Sequence, residues 1–206
     1  KAIEVAIRAQ PNNADYHYWH GRIFDAIDSI YEATREYETA LRLNSRHARA
    51  YRALGMAAMS KNRLTQAREY FDKYRQVAPE DDSIWLDIAQ TWVRQNKDAE
   101  ALEIYEKIVR QNPDSAQAMI EIASIAARKG DDNRAIDLYR RATKAQPDLG
   151  DSWCQLGLAL GVDWDKKAAK LSKETESALK KCVESNAASE LKGSAKKVLQ
   201  AHGLGS

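Results

Sequence analysis

Proline recurs at Pro79, Pro113 and Pro147, 34 residues apart each time; Pro11 lies two such steps before Pro79, and Ser45 fills the step between. A fixed step of this length constrains a fold strongly, because each step must be one supersecondary unit that stacks on the next. Other columns keep the same phase. Ala33, Ala67, Ala101 and Ala135 form one, and Tyr37, Phe71, Tyr105 and Tyr139 another. A third runs His17, Tyr51, Trp85, Met119, Trp153, and a fourth His20, Leu54, Ile88, Ile122, Leu156. Gly21, Gly55, Ala89, Ala123 and Gly157 make a fifth.

Each column has a physical cause. The bulky and aliphatic residues stand three apart, so on a helix they form one apolar stripe. The Gly or Ala that follows allows a second helix to approach closely, and the alanine of that second helix does the same from the other side. The aromatic four residues later fills the gap. Proline ends the second helix by removing a backbone donor, and the Asp, Asn and Ser residues after it suit the start of the next helix. Only four prolines and nine glycines punctuate 206 residues, which favours helix over sheet.

This order of bulky, aliphatic, small, alanine, aromatic and proline residues at a period of 34 resembles the tetratricopeptide repeat. The resemblance implies an all-α fold: a right-handed superhelical solenoid of antiparallel helix pairs, closed by a C-terminal capping helix. Four full repeats are expected at 14–47, 48–81, 82–115 and 116–149, after a truncated second helix at 1–13. A fifth, divergent repeat over 150–187 carries an insertion of about nine residues if Ala178 and Cys182 hold its small and aromatic slots. Residues 188–206 then form the cap and tail, shielding the last apolar stripe. A chain that starts at a second helix, with Lys1 rather than Met in first place, reads as truncated at its N-terminus.

The family's first helices line a concave groove that binds peptides or a partner's helix. Carried over by position, the groove here would begin aromatic and cationic with Tyr18, Trp19, Arg22, Arg49 and Arg52. It would continue through Met56, Met59, Leu86, Gln90, Val93 and Ile120, with Asp87 and Glu121 adding acid. The ligand expected is a protein segment with acidic and apolar residues, since methionine suits a surface that moulds to its partner. The chaperone-tail clamp of this family is not matched, because acids and apolar residues stand where its cations and asparagines belong. The alternative is a scaffold that self-associates or assembles a complex through its ends or convex face, so a homo-oligomer stays among the expectations.

The stretch ADYHYWHGR, residues 14–22, sets His17 and His20 three apart. Phase puts both in core columns, and the facing column offers only Ala33 and Tyr37, so no metal is expected. No cofactor is expected either. There is no phosphate loop, no G-x-S-x-G, no H-E-x-x-H and no Cys-x-x-Cys, which argues against an enzyme. A net charge of +2 gives no reason to expect nucleic acid, and no run of apolar residues is long enough to insert in a membrane. Cys154 and Cys182 lie 28 apart. They could form a disulfide; two buried thiols in a reducing cytoplasm are the expectation.

Overall fold

The computed structural model describes residues 2–161 and 170–204. The divergent insertion anticipated after Gly161 falls mostly in 162–169, outside the described residues. Among the described residues all regular structure is helical, and the fold is an all-α helical repeat array. The chain divides into two compact units, Lys1–Ala101 and Leu102–Ser206.

In the first unit α1 (Ala2–Ala9) packs on α2 (Ala14–Ala26), which pairs with α3 (Ile30–Leu43). Next come α4 (Ala48–Ser60) paired with α5 (Leu64–Val77), and α6 (Ile84–Val93) packed on α5. Helix α7 (Asp98–Gln111) spans the division. In the second unit α8 (Ala116–Arg128) pairs with α9 (Asp132–Ala145), and α10 (Gly150–Leu160) with α11 (Lys173–Glu184). Helix α12 (Ser189–Ala201) covers α10 and α11, burying Ala195, Val198 and Leu199. That is the cap.

The small-residue columns do what their size permits. Ala33, Ala67, Ala101 and Ala135 are buried, and so are Tyr37, Phe71, Tyr105 and Tyr139. The Tyr37 ring lies over Gly21 and the Phe71 ring over Gly55; a Cβ on either glycine would fall inside van der Waals contact with the ring. Over Gly157 the covering side chain is Leu179, not Cys182 as the aromatic slot required.

A column that sequence reading passed over closes the turn between paired helices. Asp28, Asn62 and Asn96 adopt left-handed backbone (φ 59, 58 and 57°), and Gly130 continues the series at φ 80°. In each case the next residue's N–H reaches back to a carbonyl five residues earlier: Ser29 to Phe24, Arg63 to Ala58, Lys97 to Trp92 and Asp131 to Ala126. This is the Schellman stop, and Asp, Asn and Gly are the residues that tolerate it.

The bulky column is only partly core. Met119 is buried, whereas His17, Tyr51, Trp85 and Trp153 are half-buried. Three of these side chains bond, through a ring nitrogen or hydroxyl, the carbonyl six residues earlier, at the proline step. His17 Nε2 lies 3.0 Å from Pro11 O, Tyr51 donates to Ser45 O at 3.1 Å, and Trp153 donates to Pro147 O at 2.8 Å. A ring with a polar edge is therefore used to bridge one helix pair to the next. The other nitrogen of His17, Nδ1, is 2.7 Å from Glu36 Oε2. His20 packs at a tilt against Phe24, with its Nδ1 3.4 Å from Glu36 Oε1 but without a hydrogen bond to it. The histidines thus meet a carboxylate, not only the Ala33 and Tyr37 that phase suggested.

One expectation about the cysteines is overturned. Cys154 of α10 and Cys182 of α11 are joined as a disulfide, with Cα atoms 4.6 Å apart, inside the core cluster that α12 covers. The two free thiols anticipated are absent because the α10–α11 pairing brings both side chains to the same buried point.

Candidate functional site

In the first unit α2 and α4 present one depression of about 770 Å³. It gathers five of the anticipated residues: Tyr18, Arg22, Arg49, Arg52 and Met56. Asp25, Ala48 and Ala53 complete those helices' share, while Tyr74 and Asp81 come from α5 and the loop after it. The last two were missed because the groove was sought on first helices alone.

Tyr18 is the floor, not a free anchor. It is 5% exposed and packs against Tyr37, His47 and Trp19 at ring separations of 5.8, 5.1 and 5.2 Å. Its hydroxyl accepts from Arg22 Nη1 at 3.3 Å, and Arg49 lies 5.8 Å above its ring. The Tyr18 hydrogen bond, with the fields of Tyr37 and Asp25, holds the Arg22 guanidinium above its usual range although burial opposes this. Trp19 is 47% exposed but does not line the depression.

Carboxylates on the rim are already engaged. Tyr37 donates to Asp25, and Tyr74 donates to Asp81, which also accepts from the Ser83 amide at 3.0 Å. Burial first, and then the Asp81 carboxylate, push the Tyr74 hydroxyl up to about 12. Arg52 is engaged too: its Nε donates to Asp87 Oδ2 at 2.6 Å. The reading of Arg52 as a free cation and Asp87 as a separate acidic spot is therefore corrected; the two neutralise each other. Arg22 and Arg49 differ. Neither has a carboxylate within ion-pair distance among the described residues.

Other anticipated positions divide by column. Met59 and Ile120 are 4% and 6% exposed, so both are core residues and leave the candidate surface. Ile120 occupies the same step as Tyr18 and Cys154, which are buried too, whereas Arg52 and Leu86 at that step are half-buried. Leu86 and Val93 are half-buried, Gln90 is exposed, and none of the three lines the depression. Helical geometry explains this. The columns that stay open are Asp15, Arg49, Ser83, Gln117 and, seven residues on, Arg22, Met56, Gln90, which share a face at two-turn spacing.

Glu121, in the second unit, is half-buried and accepts from Gln117 Nε2 at 3.2 Å. Burial raises its carboxyl above the ordinary range, with Gln117 and Arg128 opposing. A carboxyl raised by folding favours the folded state when protonated and disfavours it once ionised. Its cost is absent below the unfolded value and full above the folded one. Glu121→Gln, which keeps the acceptor for Gln117, should therefore raise the melting temperature at neutral pH and leave it unchanged in acid. A thermal melt at the two pH values checks this.

Among the described residues no group of three or more His, Cys, Asp or Glu side chains is placed to hold a metal ion. No helix of the described residues is long and apolar enough to cross a membrane.

A family model for the tetratricopeptide repeat matches residues 31–82 and 86–149, more than half of the chain. The chain belongs to the tetratricopeptide repeat family. Members of that family are in general non-catalytic modules that bind other proteins. Solved structures of similar fold include YrrB, a TPR protein with an unusual peptide-binding site. It is 19% identical, with a TM-score of 0.58 over 96% of this chain and 98% of that one. The APC/C hetero-tetramer Cut9–Hcn1 is 14% identical, with a TM-score of 0.76 over 96% of this chain but 38% of that one. PilF of Pseudomonas aeruginosa is 20% identical, with a TM-score of 0.67 over 88% and 80%. At these identities the likeness is one of fold. A search of curated protein sequences finds no match.

Proposed function

We propose that this tetratricopeptide chain is a non-catalytic interaction module that takes a segment of a partner protein into the depression on α2 and α4. The observation that carries this reading is the pair Arg22 and Arg49. Both line the depression and neither is within ion-pair distance of a carboxylate among the described residues, with exposed Met56 at the same wall and Trp19 one residue from its floor. A segment with a carboxylate for the arginines and an apolar side chain for Met56 is complementary. YrrB carries a peptide-binding site on an array of similar fold, which supports this reading. The Cys154–Cys182 bond favours an oxidising compartment over the cytoplasm expected of free thiols.

The test is titration of a partner segment, recovered from native extract and mapped to a peptide, against single variants. Arg49→Glu should weaken binding about tenfold or more at low salt, and less as salt rises. Trp19→Ala should cost about 2 kcal/mol if the ring is an anchor, with melting little changed because the side chain is exposed. Arg52 is a poor probe, since reversing it strands Asp87. Full affinity in both variants would remove the site from this face.

A second reading, assembly through the α2 end, has its own observation. Trp19 and Ile23 of α2 and Ile27, its C-cap, recur every four residues and are 47%, 49% and 66% exposed, with Tyr31 at 67% beyond them. One and two steps on, Ala57 and Thr91 hold the Ile23 position and are buried. Sedimentation over a concentration series, repeated with Ile23→Lys, separates this reading from the first.

A further inference from the structure

The turn edge of the first unit carries a second depression, of about 850 Å³, formed at the start of α5 and the end of α6. Four cations line it: Arg63, Arg68, Arg94 and Lys97. No carboxylate lines it, and among the described residues none of the four is in an ion pair. Glu69 and Asp98 follow Arg68 and Lys97 in sequence but do not line the depression. Like charges gathered without counter-charge repel one another, so the arrangement needs another source of order.

That order comes from neutral groups. Arg68 Nη1 donates to Thr91 Oγ1 at 3.2 Å and to Gln95 Oε1 at 3.1 Å, and its guanidinium lies 3.9 Å from the Trp92 ring. Lys97 Nζ lies 4.9 Å from the same ring. Arg94 Nη1 donates to the Met59 carbonyl at 2.7 Å. Aromatic faces, hydroxyls, amides and carbonyls fix a cation without cancelling its charge. Arg68 and Arg94 each donate through Nη1 alone in these contacts, and their remaining N–H groups are available to a carboxylate.

We infer that this edge is a docking surface for an acidic segment of a partner protein, separate from the depression on α2 and α4. The cations are spread over two helix ends, which suits several carboxylates along a chain better than one compact anion. A nucleic acid is a poorer fit, because the Trp92 ring that could stack a base is engaged by Arg68 and Lys97. A membrane surface is poorer as well, because no exposed large hydrophobic side chain lines this depression to enter a bilayer.

The probe is a short fluorescent glutamate-rich peptide, compared with its glutamine counterpart, with phosphatidylserine vesicles and with a single-stranded oligonucleotide. Arg63→Glu with Lys97→Glu tests the surface; Arg68 and Arg94 are left in place because they brace the fold. Arg46→Glu with Lys144→Glu, two exposed cations that line neither depression, is the charge-matched control. The glutamate peptide should bind the wild type with an affinity that falls with salt. It should bind the double variant about tenfold or more weakly and the charge-matched control as it does the wild type, with circular dichroism melts superimposable throughout. Equal binding of the glutamine peptide, equal binding by the double variant, or an equal loss in the charge-matched control would overturn the inference. So would tighter binding of vesicles or oligonucleotide than of the peptide. Failure here leaves the α2–α4 proposal standing, because its variants and its ligand are different.

Discussion

Reducing the Cys154–Cys182 disulfide should destabilise the second unit by roughly 3–4 kcal/mol, following the loop-entropy dependence for a bond that closes a 28-residue separation. The bond ties α10 to α11 where both sulfurs are fully buried, among Leu179, Ala195, Val198 and Leu199. Releasing it frees the unfolded chain and leaves two thiols in a core shaped for a linked pair. Cys154→Ala with Cys182→Ala should lose somewhat more, since the sulfurs' packing goes as well. The loss should be local. Amide exchange in α10, α11 and α12 should accelerate under reductant while α2 to α5 keep their protection. Alkylation of the untreated protein reads the bond directly. Two thiols titrating before reduction, or exchange unchanged after it, would sink the claim and restore the reducing compartment.

The period of 34 made the helices legible because stacking demands small residues where helices touch, and Ala33, Ala67, Ala101 and Ala135 lie buried as that demand requires. The left-handed column of Asp28, Asn62, Asn96 and Gly130 keeps the same period. Its residues differ in chemistry and share only tolerance of one backbone conformation, so a search by side-chain likeness passes over it. The candidate site was less legible. A helix inside an array is touched on several sides, so the phase that names a groove column cannot say how deep it lies. Tyr18, Arg52 and Ile120 share a column, yet Tyr18 and Ile120 are buried and Arg52 lines the depression. Pairings across steps were invisible for another reason. Arg52 with Asp87, 35 residues apart, and His17 with Glu36 depend on how neighbouring helices cross. The disulfide is the extreme case, since spacing alone distinguishes a bonded pair from two thiols only when a motif governs it.

Phe71→Ala should cost about 3–5 kcal/mol, the usual loss for a fully buried aromatic. The informative experiment pairs it with Gly55. A Cβ on Gly55 would sit 2.2 Å from Phe71 Cε1 and 2.6 Å from Cδ1. Alanine is the better helix former by about 1 kcal/mol, yet overpacking a ring held on all sides costs about 1–3 kcal/mol, so Gly55→Ala should destabilise on balance. Gly193 is the contrast. It lies within α12, and a Cβ there meets nothing within 4 Å; Gly193→Ala should stabilise by about 0.5–1 kcal/mol through propensity alone. In the double variant Gly55→Ala with Phe71→Ala, the added methyl enters space the ring has left. The two losses should then fall short of their sum by about 1 kcal/mol or more. Urea denaturation of the four proteins measures that coupling. Additive losses, or a Gly55→Ala protein more stable than the wild type, would mean that the glycine column is not set by ring contact, and the physical reading of the repeat would have to change.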